Sequence, residues 1–104
     1  MDAPVNGMRP IHPGEVLREE FLAPVDMSAH ALALALHVPA PRINDIVRER
    51  RGITADTAVR LGRFFGMSAE FWMGLQADYE MARARESLAD ELATIRPWRT
   101  PLAV

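Results

Sequence analysis

Apolar residues recur along this chain at the three- and four-residue steps of amphipathic helices, and capping residues cut the pattern into five segments. The first predicted helix runs from about Pro13 to Leu22, with Pro13 in its opening turn and Pro24 ending it. Val16, Leu17 and Phe21 fall on its inner face, Glu15, Arg18, Glu19 and Glu20 on its outer one. The second spans 28–36: Ser28 is its cap, Ala31, Leu32, Ala35 and Leu36 share a face, and Ala33 and Leu34 lie alongside. Alanine in its middle lets another helix cross closely. Pro39 and Pro41 forbid its continuation but suit the opening turn of a third helix over 40–48, where Ile43, Ile46 and Val47 form an inward stripe.

After a turn at Arg50-Arg51-Gly52, Thr54 caps a fourth helix that reaches about Phe65 and stops at Gly66. Asp56 sits near its positive end, and Ala58, Leu61, Phe64 and Phe65 form its core stripe. Ser68 caps a fifth, with Glu70 in the first turn and Phe71, Trp72, Leu75, Tyr79 and Ala82 on one face. Leu88, Leu92 and Ile95 extend that face, so the last helix is predicted over 68 to about 95, roughly 40 Å at the helical rise. A compact domain of this size cannot cover such a length, so the distal half bends back or packs on a partner. There is no strand pattern and no internal repeat. The predicted fold is all-α, with five helices.

Residues 28–52 have the outline of a helix-turn-helix. The inward stripe of the third helix leaves Arg42, Asn44, Asp45 and Arg48 facing outward. Arginine bonds guanine in a bidentate way, asparagine does the same with adenine, and Ala40 can touch a thymine methyl; each good bidentate pair contributes about 1–3 kcal/mol of discrimination. The bland alternative stays open on spacing alone, because short helices joined by a proline turn occur in many helical domains and exposed Arg and Asn are often only solvated. The turn position that is usually glycine holds His37, a residue type tolerated there at some steric cost.

Charge changes this picture more than composition does. The 104 residues suit one domain and carry a net charge of −2, which argues against indiscriminate nucleic-acid binding. Six arginines (42, 48, 50, 51, 60 and 63) nevertheless fall within 42–63 against Asp45, Glu49 and Asp56, and the flanking segments 1–41 and 78–91 are acidic. A basic centre between acidic flanks fits a DNA-facing surface. All twelve basic residues are arginine, which suits phosphate binding and equally fits a compositional bias.

Several function classes are disfavoured. Cysteine is absent, so disulfides and thiolate metal sites are excluded, and no apolar run approaches membrane-spanning or signal length. A cytoplasmic protein with no metal and no cofactor is expected. The three histidines, His12, His30 and His37, lack a ligand spacing, and there is no phosphate loop or nucleophile elbow. No catalytic residue is expected. A pure protein adaptor is opposed by Arg42, Asn44 and Arg48, and RNA binding by the lack of an aromatic sheet platform.

Three stretches together are more specific than a generic helix-turn-helix: Arg-Pro-Ile-His-Pro-Gly-Glu-Val-Leu-Arg-Glu-Glu-Phe-Leu at 9–22, Val-Pro-Ala-Pro-Arg-Ile-Asn-Asp-Ile-Val at 38–47, and the segments at 51–66 and 68–76. Over about residues 8–96 the chain resembles the HigA antitoxins, addiction-module antidotes of the phage-repressor-like (XRE, VapI/HigA) group. His37 departs from the broader phage-repressor pattern but not from the HigA subgroup. The resemblance implies a lambda-repressor-like domain over 9–96, between a flexible arm at 1–8 and an irregular tail at 97–104. It implies a homodimer that represses its own operon at a palindromic operator and neutralises a HigB/RelE-like ribonuclease toxin that cuts mRNA at the ribosome. A stand-alone regulator without a toxin is the alternative.

Carried onto this sequence, Arg42 and Asn44 are the base-reading candidates, with Ala40 beside them and Asp45 either accepting from a cytosine amine or orienting Arg42. Ser28 with the first amides of its helix, and Arg48, Arg50 and Arg51, are candidates to hold phosphates. Leu88, Leu92 and Ile95 are the candidate dimer interface. Glu15, Glu19 and Glu20 form an acidic face suited to steering a basic toxin.

Overall fold

Burial of one face per helix organises the chain, and the computed structural model describes it over residues 9–99. Among these residues there are six α-helices and no strand. They are α1 (Pro13–Val16), α2 (Ala29–Leu36), α3 (Ala40–Val47), α4 (Ala55–Phe65), α5 (Ala69–Ser87) and α6 (Ala89–Thr94). The all-α helix-turn-helix expectation holds. The expected arm at 1–8 and the tail beyond residue 99 lie outside the described residues.

α1 continues into a widened turn of π-helix over Leu17–Leu22 and a 3-10 turn over Ala23–Val25. Pro24 therefore does not end this helix as the sequence predicts. The N–H of Ala23 bonds back five residues to Arg18, so the chain reaches Pro24 in a π-helical register, and Pro24 itself lies in the 3-10 turn, where it donates no bond. The true stop is Asp26, left-handed at φ 55°, after which the Met27 N–H reaches the Leu22 carbonyl at 3.0 Å.

Local capping signals are realised as expected. Ser28 Oγ accepts from the Ala31 N–H at 3.0 Å, Thr54 Oγ1 from Thr57 at 3.5 Å and Ser68 Oγ from Phe71 at 3.3 Å. Gly66 closes α4 at φ 70°. Two faces differ from expectation. α2 is packed between α3 and α4, so it buries Leu32, Ala33 and Leu36 while Ala31 and Ala35 are exposed and Leu34 is 64% exposed. On α4 the inward positions are Thr57, Ala58, Leu61 and Gly62, and Phe64 turns outward with its ring edge-on to the half-buried Phe65, centroids 4.9 Å apart.

The core joins Leu17 and Leu22 to Leu32 and Leu36 of α2, Ile43 and Ile46 of α3, Ala58 and Leu61 of α4 and the fully buried Trp72 of α5. The Phe21 ring lies 5.0 Å from the Trp72 ring, a tilted contact of the kind that adds to simple burial. On α5 the buried positions end at Gln76, whose Oε1 accepts from the Ile53 N–H at 2.7 Å and whose Nε2 donates to Glu80 at 2.6 Å. Where the sequence predicts one helix over 68–95, the backbone breaks at Leu88 (φ −102°, ψ 8°) and α6 follows. Leu88, Leu92 and Ile95 do not fold back on the core; they are 46%, 45% and 59% exposed. The described residues accordingly extend 54 × 25 × 24 Å.

α1 approaches α3 so closely that only glycine fits at residue 14. A Cβ on Gly14 would lie 1.7 Å from the Ile46 carbonyl oxygen, a backbone atom that cannot step aside. Gly14→Ala is expected to cost about 3 kcal/mol or more, at the upper end of overpacking effects, and thermal denaturation followed by circular dichroism should show the melting temperature falling by more than about 10 °C.

Candidate nucleic-acid interface

The outer face of α3 is set by what the other helices bury. Ile43 and Ile46 are fully buried, which turns Arg42, Asn44, Asp45 and Arg48 away from the core, as expected. The turn before α3 is tight because His37 adopts the left-handed conformation (φ 62°, ψ 44°), allowing the Val38 N–H to reach the Ala33 carbonyl at 3.0 Å. Pro39 is extended and Pro41 occupies the first turn of α3, where its missing N–H removes no bond. Ala40 is half-buried at the start of α3, beside the core.

α3 ends on a second left-handed residue, Glu49 at φ 63°, with the Arg50 N–H bonding the Asp45 carbonyl at 2.8 Å. This places Arg48, Arg50 and Arg51 on the exposed loop after α3, and Arg51 Nη2 lies 3.4 Å from Asp45 Oδ2. Arg42, Arg51, Gly52, Thr54, Asp56 and Thr57 line a shallow cleft beside the helix. Ser28 is exposed at the start of α2, its oxygen already accepting from Ala31.

One expected role is corrected. Asp45 does not orient Arg42, because it pairs with Arg51 instead. The first turn of α4 brings Asp56 to Arg42, Oδ1 accepting from Nη1 at 2.6 Å. The same oxygen accepts from Arg60 Nε at 2.7 Å, and Arg60 Nη1 donates to the Leu36 carbonyl at 2.8 Å and the His37 carbonyl at 3.3 Å. Bonds from Arg60 and Arg42 hold the Asp56 carboxyl below its ordinary pKa. Asp56 appeared in the sequence only as a helix-end acid, since its partners lie 14 residues away and on the next turn.

Solved structures of antitoxins share this fold, two of them bound to DNA. A Pseudomonas aeruginosa antitoxin HigA, solved with the higBA promoter, is 55% identical, the match covering 88% of this chain and all of that one with a TM-score of 0.85. The antitoxin GraA in complex with its operator is 45% identical, covering 91% of this chain and 97% of that one with a TM-score of 0.84. Virulence-associated protein I of Dichelobacter nodosus is 59% identical over 78% of this chain and 75% of its own length. The chain belongs to the HigA antitoxin family. No protein-family model matches it. The relatives are antitoxins and DNA-binding regulators rather than enzymes, and no helix among the described residues is long and apolar enough to cross a membrane.

In this HigA-family chain, the π-turn that follows α1 also holds α3 from behind. Arg18, expected to be solvated, instead crosses to α3, donating to the Val47 carbonyl through Nη1 and to Glu49 Oε2 at 3.3 Å. A cation on the last carbonyls of a helix is favourable. The same guanidinium bonds Glu19 at 3.0 Å, and Arg9 takes Glu15 in two bonds of 2.7 and 2.9 Å. Glu20 is left as the one member of the expected acidic face without an ion pair among the described residues.

His12 anchors this support. It is buried, caps α1 by accepting from the Gly14 N–H on Nδ1 at 2.8 Å, and stands edge-on to Tyr79 at 4.8 Å. Burial first, and Arg18 to a lesser degree, lower its pKa from the ordinary 6.5, with Glu49 opposing. The unfolded chain therefore takes up a proton at this position before the folded one does. The stability from neutral His12 is complete above pH 6.5 and is lost as the pH falls through the lower folded value. Denaturant melts between about pH 6.5 and pH 5 should show stability falling with acidification, and His12→Asn, which keeps a capping oxygen without titrating there, should flatten that slope.

Proposed function

We propose that this chain is an antitoxin that represses its own operon, binding operator DNA as a dimer through α3 and neutralising a HigB/RelE-like ribonuclease toxin. The observation that carries this reading is the outer face of α3, where an arginine and an asparagine stand on a helix held rigid from both ends. The likeness to an antitoxin solved with the higBA promoter supports it. In this reading α3 enters the major groove; Arg42 and Asn44 contact base edges, with Ala40 against a thymine methyl and Asp45 at a cytosine amine. Ser28, Arg48, Arg50 and Arg51 contact phosphates and set the register.

One such helix covers only a few base pairs. Two copies with their reading helices about 34 Å apart make a usable operator. We assign the dimer interface to Leu88, Leu92 and Ile95, apolar residues that lie uncovered from the break at Leu88 to the end of α6. For the toxin we assign the acidic face of Glu15, Glu19 and Glu20, with Glu20 the carboxylate most available to a basic partner. Such a protein works in the cytoplasm, at the nucleoid when bound to its operator.

The test is a salt-titrated binding assay on the protein's own promoter fragment and on random DNA. Arg42→Ala should weaken operator binding by about 5- to 150-fold, corresponding to about 1–3 kcal/mol, and affect random DNA far less. Arg51→Ala should weaken both about equally and reduce the salt slope by about one. Equal losses for both variants on both DNAs would contradict the assignment. The interface is tested separately: Leu88→Asp with Leu92→Asp should yield a folded monomer in analytical ultracentrifugation, and a dimer of unchanged strength would refute it.

A further inference from the structure

The bonds that tie α4 to the turn between α2 and α3 end on Arg42. Asp56 Oδ1 accepts from Arg42 Nη1 and Arg60 Nε, and Arg60 is itself fixed by the last carbonyls of α2. A continuous run of hydrogen bonds therefore links the end of one helix of the motif, through α4, to the third residue of the other. Arginine has a flexible stem and a planar fork of five N–H donors. Anchoring one of them fixes the plane of the guanidinium and leaves an edge for bidentate bonding.

Nothing in the core requires this pair. Asp56 is exposed, Thr54 already caps α4, and α4 packs through Thr57, Ala58 and Leu61. An exposed ion pair contributes little to folding. A carboxylate beside a surface meant for DNA also repels phosphate, so its presence there lowers affinity for DNA of any sequence.

We propose that Asp56 is a positioning residue for operator specificity, holding the Arg42 guanidinium, with Arg60 behind it, in the orientation that reads a guanine edge. This rests on Arg42 being a base-reading residue. Specificity is gained from a pre-set fork, and non-specific affinity is given up to the local negative charge. Removing Asp56 then lowers the preference for the operator without lowering affinity for other DNA, which general loosening of the fold would not do.

The experiment measures affinity for the own-promoter fragment and for a shuffled fragment by fluorescence anisotropy, with the full chain as wild type, Asp56→Ala, Arg42→Ala and the double variant, and a thermal melt for each. Asp56→Ala is expected to reduce the preference for the promoter about fivefold to tenfold, with affinity for shuffled DNA unchanged or higher. In the Arg42→Ala background the same substitution should change the preference by less than about twofold, the mark of residues that act as a unit. An unchanged preference in Asp56→Ala, or an equal loss in both backgrounds, overturns the proposal. If Arg42→Ala itself leaves the preference intact, the premise about Arg42 fails, and the proposal with it. Asp56→Asn, which keeps an accepting oxygen, should fall between wild type and Asp56→Ala; a loss as large as that of Asp56→Ala with a lowered melting temperature overturns the proposal in favour of a structural role.

Discussion

The approach of Gly14 to the Ile46 carbonyl is the contact on which the rest of the molecule depends. It lets α1 lie directly on the backbone of α3, with no side chain between them at that point. His12 can then cap α1 from a buried position, and Arg18 can reach the last carbonyls of α3. The other end of α3 is fixed by the His37 turn and by the bonds from Arg60 and Asp56. Ile43 and Ile46 fill the space between, and what remains outside is a short, rigid face bearing Arg42, Asn44 and Asp45. Precise placement of such groups is what base discrimination needs.

Much of the positive charge of the central segment is spent within the protein. Arg42 and Arg60 share Asp56, and Arg51 pairs with Asp45. Arg48, Arg50 and Arg63 make no ion pair among the described residues. A net charge of −2 arranged this way works against indiscriminate DNA binding and puts the weight of selectivity on geometry. The acidic face of α1 and the π-turn after it is likewise muted, because Arg9 and Arg18 take Glu15 and Glu19.

Local chemistry was legible in the sequence, and long-range bonding was not. Ser28, Thr54 and Ser68 cap where expected, because a capping bond spans three residues. Gly66 stops α4 for a reason its residue type announces, whereas Asp26 and Glu49 end their helices in the same left-handed conformation without announcing it. The inward stripe of α3 was correct; the face of α2 was displaced because alanines and leucines alternate there and only packing decides which are covered. Arg18 to Val47 spans 29 residues, Arg42 to Asp56 spans 14 and Ile53 to Gln76 spans 23, so no local pattern could pair them. The break at Leu88 carries neither glycine nor proline, and the apolar spacing runs through it unchanged.

The central claim is that two copies of α3 lie in successive major grooves of an operator. Methylation interference on the protein's own promoter tests it most directly, because it reports contacts at guanine N7, an atom of the major-groove edge. The account requires two symmetric clusters of interfering guanines about 10 base pairs apart, each cluster losing its effect in Arg42→Ala. Interference confined to minor-groove adenines, or guanine clusters that persist in Arg42→Ala, would contradict it.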